Sequence, residues 1–470
     1  MTRGIHWFRN DLRLHDNLGL SALADRAEAW LPLFIIDPRL LSKTDRQAPR
    51  VRFLFDCLGR LESDLSARGF PMQILEGQPE KLIPELMAKT GATVVSWNSA
   101  STPYARRRDS KVTAAISRVG GEVIEIDDHT VFGADEIKTK VGGNYSVYTP
   151  YRNEWWRTWE REPRLTTSSV QIPKASVSRV EMPSGRVGSR SIDVDDGPSL
   201  PPGGERNAKR RLREFLSGPA RHYHIDRDRP DVDGTSRLSP YLRFGAISIR
   251  RCFTEALRAM EIDPGSQQGI SKWLDELIWR EFYNAVLLHS PHVLSGSFRP
   301  EYDQLDWSGS AGDFEAWCEG RTGYPFVDAG MRQLKATGWM HNRLRMVVAS
   351  FLTKDLLIDW RRGERFFFDS LVDGDPASNN GGWQWSASTG TDAQPYFRIF
   401  NPVTQGKKCD PDGSYVRRWI PELKDMDAGS IHTPWDFPLG CQGYPAPIVD
   451  HAVQRKLALA EFKRVRAISE

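Results

Sequence analysis

Four segments from Tyr223 onward in this 470-residue chain carry residue types that do chemistry, at spacings that local structure can bring together. In the first, Trp273, Glu276 and Arg280 recur at i, i+3 and i+7 on one helical face, where an ordinary amphipathic helix would put leucine. That face reads equally as a solvated ion-pair surface with Trp packed beside it, or as a pocket wall where Trp stacks on flat rings while Glu and Arg hydrogen-bond. In the second, Asn342, Arg345 and Met346 share a helical turn. Asn both donates and accepts, so it can read an amide-like base edge, and Met offers a soft contact to rings or methyl groups, although a lone Met is more often core.

The third segment runs from Asp373-Gly374-Asp375 through Asn379, Trp383 and Trp385 to Asp392 and Arg398. Acidic loops often take calcium, but these carboxylates do not follow the alternating ligand pattern of an EF-hand, and calcium is set aside. Gly381 and Gly382 allow close backbone approach to a planar ligand. Trp383 and Trp385 share a side if extended and lie far apart if helical, and spacing alone leaves the two open. In the fourth, Tyr223 and Thr235-Ser236-Arg237-Leu238-Ser239 put hydroxyls, a guanidinium and backbone N–H groups before a helical stretch, which suits a phosphate or an ordinary N-cap. His222 and His224 form an HxH pair and read as loop residues.

Other chemistries find little support. No GxGxxG or P-loop follows the first apolar run, and no Ser/His/Asp triad can be assembled. Cys57, Cys252, Cys318, Cys409 and Cys441 are scattered, so neither a metal site nor a disulfide framework is expected, and a reducing cytoplasm fits. No apolar run approaches a membrane span or a signal peptide, so no membrane is expected. A net charge of +3 permits a nucleic-acid partner without demanding one. Of sixteen Trp, ten lie from Trp273 onward, and most should be packing residues.

The elements that must position these groups fall into two blocks. Apolar runs at 4–8, 31–37, 71–76, 93–98 and 122–126 alternate with helical patterns near 19–29, 50–68, 79–90 and 104–119. This predicts a five-stranded parallel, Rossmann-like α/β domain over 1–130. Residues 131–205 read as an interdomain linker, rich in Ser, Pro, Gly and charge at 174–190 and 193–204, apart from Trp155, Trp156 and Trp159. From 206 to 470 helical patterns dominate (206–216, 248–260, 269–289, 325–337, 340–358), predicting a larger all-α domain.

The blocks HWFRNDLRLHDN, DGTSRLSPYLRFG, WLDELIWREFY, WMHNRLRMVVASFLTKDLLIDWR and NNGGWQWSASTGTDAQPYFRIFNP together resemble the photolyase and cryptochrome family, and within it class I cyclobutane pyrimidine dimer photolyases. The resemblance runs from the N-terminus to Trp419–Leu423. It implies an antenna-chromophore domain followed by a FAD domain, with light-driven repair of DNA. In that reading excited reduced FAD would give an electron to a flipped-out dimer, the cyclobutane bonds would break, and the electron would return.

Carried over residue by residue, Tyr223, Thr235, Ser236, Arg237, Leu238, Ser239, Trp273, Asp373, Gly374 and Asp375 would hold FAD, with Arg345 on an acidic partner. Asn379 would sit beside flavin N5, where a neutral amide suits the anionic reduced cofactor; plant cryptochromes have Asp there. Trp383, Trp360 and Trp307 would pass electrons to oxidised flavin. Glu276, Trp279, Asn342, Met346 and Trp385 would hold the dimer, Glu276 by hydrogen-bonding its 5′ base and the two Trp by its apolar faces. Arg227, Arg280 and Arg343 would meet phosphate or dimer. Enzymes for (6-4) lesions use two His where this chain has Asn342 and Met346, which cannot serve as general acids. Tyr104-Ala105 stands where folate-binding relatives carry Asn-Glu. The pattern TPYARRRD resembles relatives that carry a deazaflavin (8-HDF), so the resemblance implies 8-HDF rather than methenyltetrahydrofolate as the antenna, with Arg50 and Asp109 as contacts, and FMN or an empty pocket as alternatives. The expected partner is DNA containing a pyrimidine dimer, met by a monomer without an obligate protein partner. A blue-light receptor is the competing reading.

Overall fold

The computed structural model describes residues 1–41, 47–166, 170–182, 197–393, 395–437 and 443–469; Cys441 and parts of 174–190 and 193–204 lie outside them. Five parallel strands, β1 (Arg3–Phe8), β2 (Ala29–Ile36), β3 (Gln73–Glu76), β4 (Val94–Asn98) and β5 (Glu122–Ile126), form a sheet in the order β3-β2-β1-β4-β5. Every residue of β2 is buried, as an apolar run within a parallel sheet requires. Helices α1 (Leu18–Ala24), α2 (Pro49–Ser66), α3 (Pro79–Thr90) and α4 (Pro103–Arg118) make the crossovers. All five strands fall on the predicted runs.

Strand β3 pairs only Leu33–Ile36 of β2, and the open start of β2 is taken by β6 (Ala175–Ser176), which the sequence pattern did not reveal. The region read as linker also contains α5 (Tyr148–Arg161). Its buried residues, Tyr148, Tyr151, Trp155 and Trp159, recur at helical spacing. They pack on the helical domain, with Trp155 Nε1 donating to Glu281 at 2.6 Å and Tyr151 lying 5.3 Å from Phe282.

The helical domain includes α6 (Glu205–Leu216), α7 (Ile249–Ile262), α8 (Gln267–His289), α9 (Pro325–Thr337), α10 (Asn342–Ser350), α11 (Trp360–Ser370), α12 (Pro376–Ala387) and α13 (His451–Ser469). The pattern at 340–358 predicts one helix; α10 instead gives way to a π-helical turn at Phe351–Asp355. The two domains share one apolar core, in which Phe53 of α2 packs on Tyr241 and Phe244.

In an open parallel sheet the ligand crevice lies beyond the carboxyl ends of the strands where the order reverses, here between β1 and β4. In this chain the crevice is plugged by its own side chains. Asn98 Nδ2 donates to Asp11 (2.6 Å) and Asn17 (2.8 Å), the Arg9 N–H donates to Asp11 (2.6 Å), and Asn98 Oδ1 accepts from the Gly19 N–H. Burial alone would raise the Asp11 carboxyl, but His6, the Arg9 amide and the charge of Arg13 bring it to about 2. The helical domain caps the plug through Leu12 N–H to Phe244 O and through Gly245 (φ 59°), where a Cβ would lie 2.1 Å from Asn10 O.

Candidate active site

One cavity of about 450 Å³, within the usual range for a ligand site, opens in the helical domain. Helix α8 lends Trp273, Glu276, Trp279 and Arg280; α10 lends Asn342, Arg345 and Met346; α12 lends Asn379, Trp383 and Trp385; Tyr223, Arg227, Thr235–Ser239 and Asp373–Asp375 complete the wall. The structure thus brings all four sequence segments to one cavity. Arg343 lies outside the lining, paired with Asp228 at 2.7 Å.

Helix α12 is set by Asp375, whose Oδ1 accepts from the Ala377 and Ser378 N–H groups as an N-cap. Burial would raise this carboxyl, but the charges of Arg243, His129 and Arg280 hold it below the ordinary range. The helical form settles the two indoles: Trp383 is buried against Phe367 (5.0 Å) and Trp317 (6.0 Å), while Trp385 is half-buried at the cavity. The glycines before them divide the work. A Cβ on Gly381 would run into the Tyr283 ring at 2.2 Å, whereas Gly382 lines the cavity with open space beside it.

Asp373 is the electrostatic centre. Its Oδ2 accepts from Ser239 (2.5 Å) and Arg345 (2.8 Å), while Oδ1 is buried without a protein partner. A buried carboxylate oxygen left unsatisfied carries a substantial desolvation cost unless a ligand donor meets it. Asn379 Nδ2 donates to Glu364 O (2.9 Å), which fixes the amide's orientation in the wall. The 235–239 loop is held from behind by Arg211, which donates to Ser236 O (2.9 Å) and Thr235 O (2.8 Å), and Arg237 (φ 49°) lies over Trp339. A flat ligand bearing hydrogen-bond donors and a phosphate-rich arm fits these groups.

Toward the base-like ligand, Glu276 is ion-paired with Arg227 at 2.5 Å, and Asn342 Nδ2 lies 3.9 Å from Met346 Sδ. The His341 Nδ1 accepts from the Arg343 N–H and caps α10; burial lowers this imidazole to about 4, so the acceptor form is the stable one.

The structure places three further sets of expected residues as follows. Arg280 is half-buried in the cavity wall, where its guanidinium donates to His129 O at 2.8 Å and abuts the His129 ring. Arg50 is buried over the Phe368 ring and donates to Phe368 O, and Asp109 is buried against Arg9 and Arg108. Of the three Trp expected to pass electrons, Trp383 lines the cavity, Trp360 is buried and Trp307 is half-buried in the adjoining core. Sequence reading missed Arg211, Arg243, Tyr283, Trp317 and His129. Their roles depend on contacts across the chain, and no local pattern distinguishes them.

Comparison with known proteins agrees with this geometry. Residues 4–169 match the DNA photolyase family, and residues 273–464 match the FAD binding domain of DNA photolyase. A deoxyribodipyrimidine photo-lyase of Synechococcus sp. is 41% identical, over 98% of this chain and 97% of its own length. The crystal structure of a class III photolyase from Agrobacterium tumefaciens superimposes with a TM-score of 0.90 at 36% identity, covering 99% of this chain and 98% of that one. The Sulfolobus tokodaii photolyase, solved with two FAD molecules, gives 0.83 at 32% identity, covering 98% and 100%. With such identity along nearly its whole length, and with the cavity in the domain that matches the FAD-binding model, this chain belongs to the DNA photolyase family.

Proposed function

We propose that this protein is a light-driven enzyme that splits cyclobutane pyrimidine dimers in DNA with reduced FAD, working as a monomer in the cytoplasm. The observation that carries the reading is the double lining of one cavity. Tyr223, Thr235–Ser239, Arg345, Asp373 and Asn379 suit a flavin dinucleotide, and Glu276, Trp279, Asn342, Met346 and Trp385 suit a pair of flat pyrimidines. When bound and reduced, the flavin supplies the light-excited electron that opens the dimer and is then returned.

The protein's part is holding and shielding. Asp373 Oδ1 would accept a donor from the flavin ring, while Arg345 pairs with the other oxygen of that carboxylate. Asn379 presents a neutral amide that leaves an anionic reduced ring uncontested. Trp279 and Trp385 stack on the extruded bases, each such contact being worth about 1–3 kcal/mol. Glu276, kept in place by Arg227, hydrogen-bonds a base edge. Asn342 and Met346 provide no acid, which fits a reaction without net proton transfer and disfavours (6-4) repair.

A second chromophore in the α/β domain belongs to this reading, a deazaflavin being favoured over folate or FMN; mass spectrometry of the extracted cofactors identifies it. The decisive assay is repair of an oligonucleotide carrying one thymine dimer by reduced enzyme, in blue light and in darkness, read by the ultraviolet absorbance of restored pyrimidines. Recovery in light alone is expected. No recovery with FAD bound and reduced would overturn dimer repair, and would favour a photoreceptor or a (6-4) substrate. Trp383→Phe is expected to block photoreduction of oxidised enzyme while sparing repair after chemical reduction.

A further inference from the structure

Tyr148 lies in the segment between the domains, 131 residues before Trp279, yet the two rings are stacked face to face with centroids 3.6 Å apart and planes 9° from parallel. Tyr148 does not line the cavity and Trp279 does, so the tyrosine covers the indole from behind. Its hydroxyl donates to Asp275 O at 2.7 Å, one helical turn before Trp279, so one side chain grips both the ring and the backbone that carries it. Arg152, a turn further along α5, donates to Asp275 Oδ1 at 2.5 Å.

The same segment is tied to the opposite wall. The Tyr148 N–H donates to Asp392 Oδ2 (3.1 Å), and Thr391 Oγ1 donates to Ser146 O (2.5 Å). Thr391 and Asp392 follow closely on the end of α12, the helix that carries Trp385, and Asp392 holds its turn at φ 43°. Residues 146–148 therefore connect the wall bearing Trp279 to the wall bearing Trp385. Helices α8 and α12 also meet directly, with Gly381 against the Tyr283 ring, and residues 146–148 add a second tie behind Trp279.

We propose that Tyr148 is a positioning residue for lesion recognition: with Thr391 and Asp392 it braces the gap between Trp279 and Trp385 at the width of a stacked pyrimidine pair. The inference rests on the reading that these two indoles hold the flipped dimer. A rear-stacked ring removes rotamer freedom from Trp279 before the DNA arrives, so less ordering is left to do on binding. Undamaged DNA does not enter the gap and gains nothing from the brace.

The test is dark binding of FAD-loaded protein to a duplex with one thymine dimer and to the same duplex undamaged, for wild type, Tyr148→Leu, Tyr148→Phe, Thr391→Val and Trp279→Ala. Tyr148→Leu is expected to weaken dimer binding about 3- to 10-fold, the size of an aromatic pair's contribution, with affinity for undamaged DNA within about twofold. Tyr148→Phe keeps the stack and should restore most of the dimer affinity. Thr391→Val, altered at the other wall, should give a smaller loss of the same selectivity, and keeps the test open should the leucine variant fold poorly. Equal losses on both DNAs, or no loss in Tyr148→Leu and Thr391→Val while Trp279→Ala is impaired, overturns the brace alone. Unchanged dimer binding by Trp279→Ala overturns the stacking reading and the brace with it.

Discussion

Each domain of this protein has a crevice where its fold would ordinarily receive a ligand, and the two have opposite fates. At the reversal of strand order between β1 and β4, Asp11, Asn17, Asn98 and the Arg9 amide satisfy one another and the helical domain seals them in. In the helical cavity, Asp373 keeps one buried oxygen without a partner, Gly382 leaves open space and flat side chains line the wall. The polar groups of the first crevice are spent on holding two domains together. Those of the second are partly unspent, and that is what makes it a site. A crevice predicted by topology is only a location; its chemistry depends on which hydrogen bonds remain to be made.

The sharpest way to break this contrast is Asp11→Ala. It removes the buried carboxylate that accepts from Asn17, Asn98 and the Arg9 amide, and should cost about 3–5 kcal/mol of stability, in the range for breaking a buried charged network. Denaturant unfolding checks it, and a loss below about 1 kcal/mol would mean the plug is not a structural unit. Acid should next separate the two regions. His341, capping the cavity helix α10, is held down to about 4 by burial, below the ordinary imidazole value. Its contribution is therefore complete above pH ~6.5 and lost as pH falls toward ~4, when the unfolded chain takes up the proton first. The loss is about 2–3 kcal/mol over that window by linkage. Asp11, held at about 2, keeps its contribution until pH falls below about 4. Unfolding midpoints measured across that range should fall less steeply in His341→Asn, which caps without titrating.

A smaller effect should fall on function alone. Asp373→Asn removes the charge that Arg345 pairs with and changes the unmet acceptor. It should lower FAD affinity about 10- to 100-fold, the price of a charge-assisted hydrogen bond, as read from the flavin retained per protein. Retention at the wild-type level would remove Asp373 from the flavin set. The smallest is Ser101→Ala, which deletes a 2.9 Å bond to Asn284 across the domain seam. It should cost about 1 kcal/mol and leave flavin retention unchanged.

Much of the fold was legible because it rests on short-range pattern. The five apolar runs became the five strands, and the Trp273, Glu276 and Arg280 spacing became one face of α8. Linker composition misled at 148–161, where an amphipathic aromatic helix is short and flanked by polar residues; the recurrence of Tyr148, Tyr151, Trp155 and Trp159 was the signal available. The site residues were named largely through resemblance, since spacing left Trp273–Arg280 open between surface and pocket.

What the sequence determined by itself was therefore which residues share a strand, a helical face or a cap, because neighbours within a turn meet whatever the rest of the chain does. Only the tertiary structure decided which groups meet: Arg280 donates to His129 across 151 residues, Trp279 is backed by Tyr148 across 131, and Asp373 alone among the carboxylates lining the cavity keeps a fully buried oxygen without a protein partner. Hydrogen bonds and stacked rings between distant segments depend on packing geometry to within a few tenths of an ångström, and residue spacing along the chain carries no such distance.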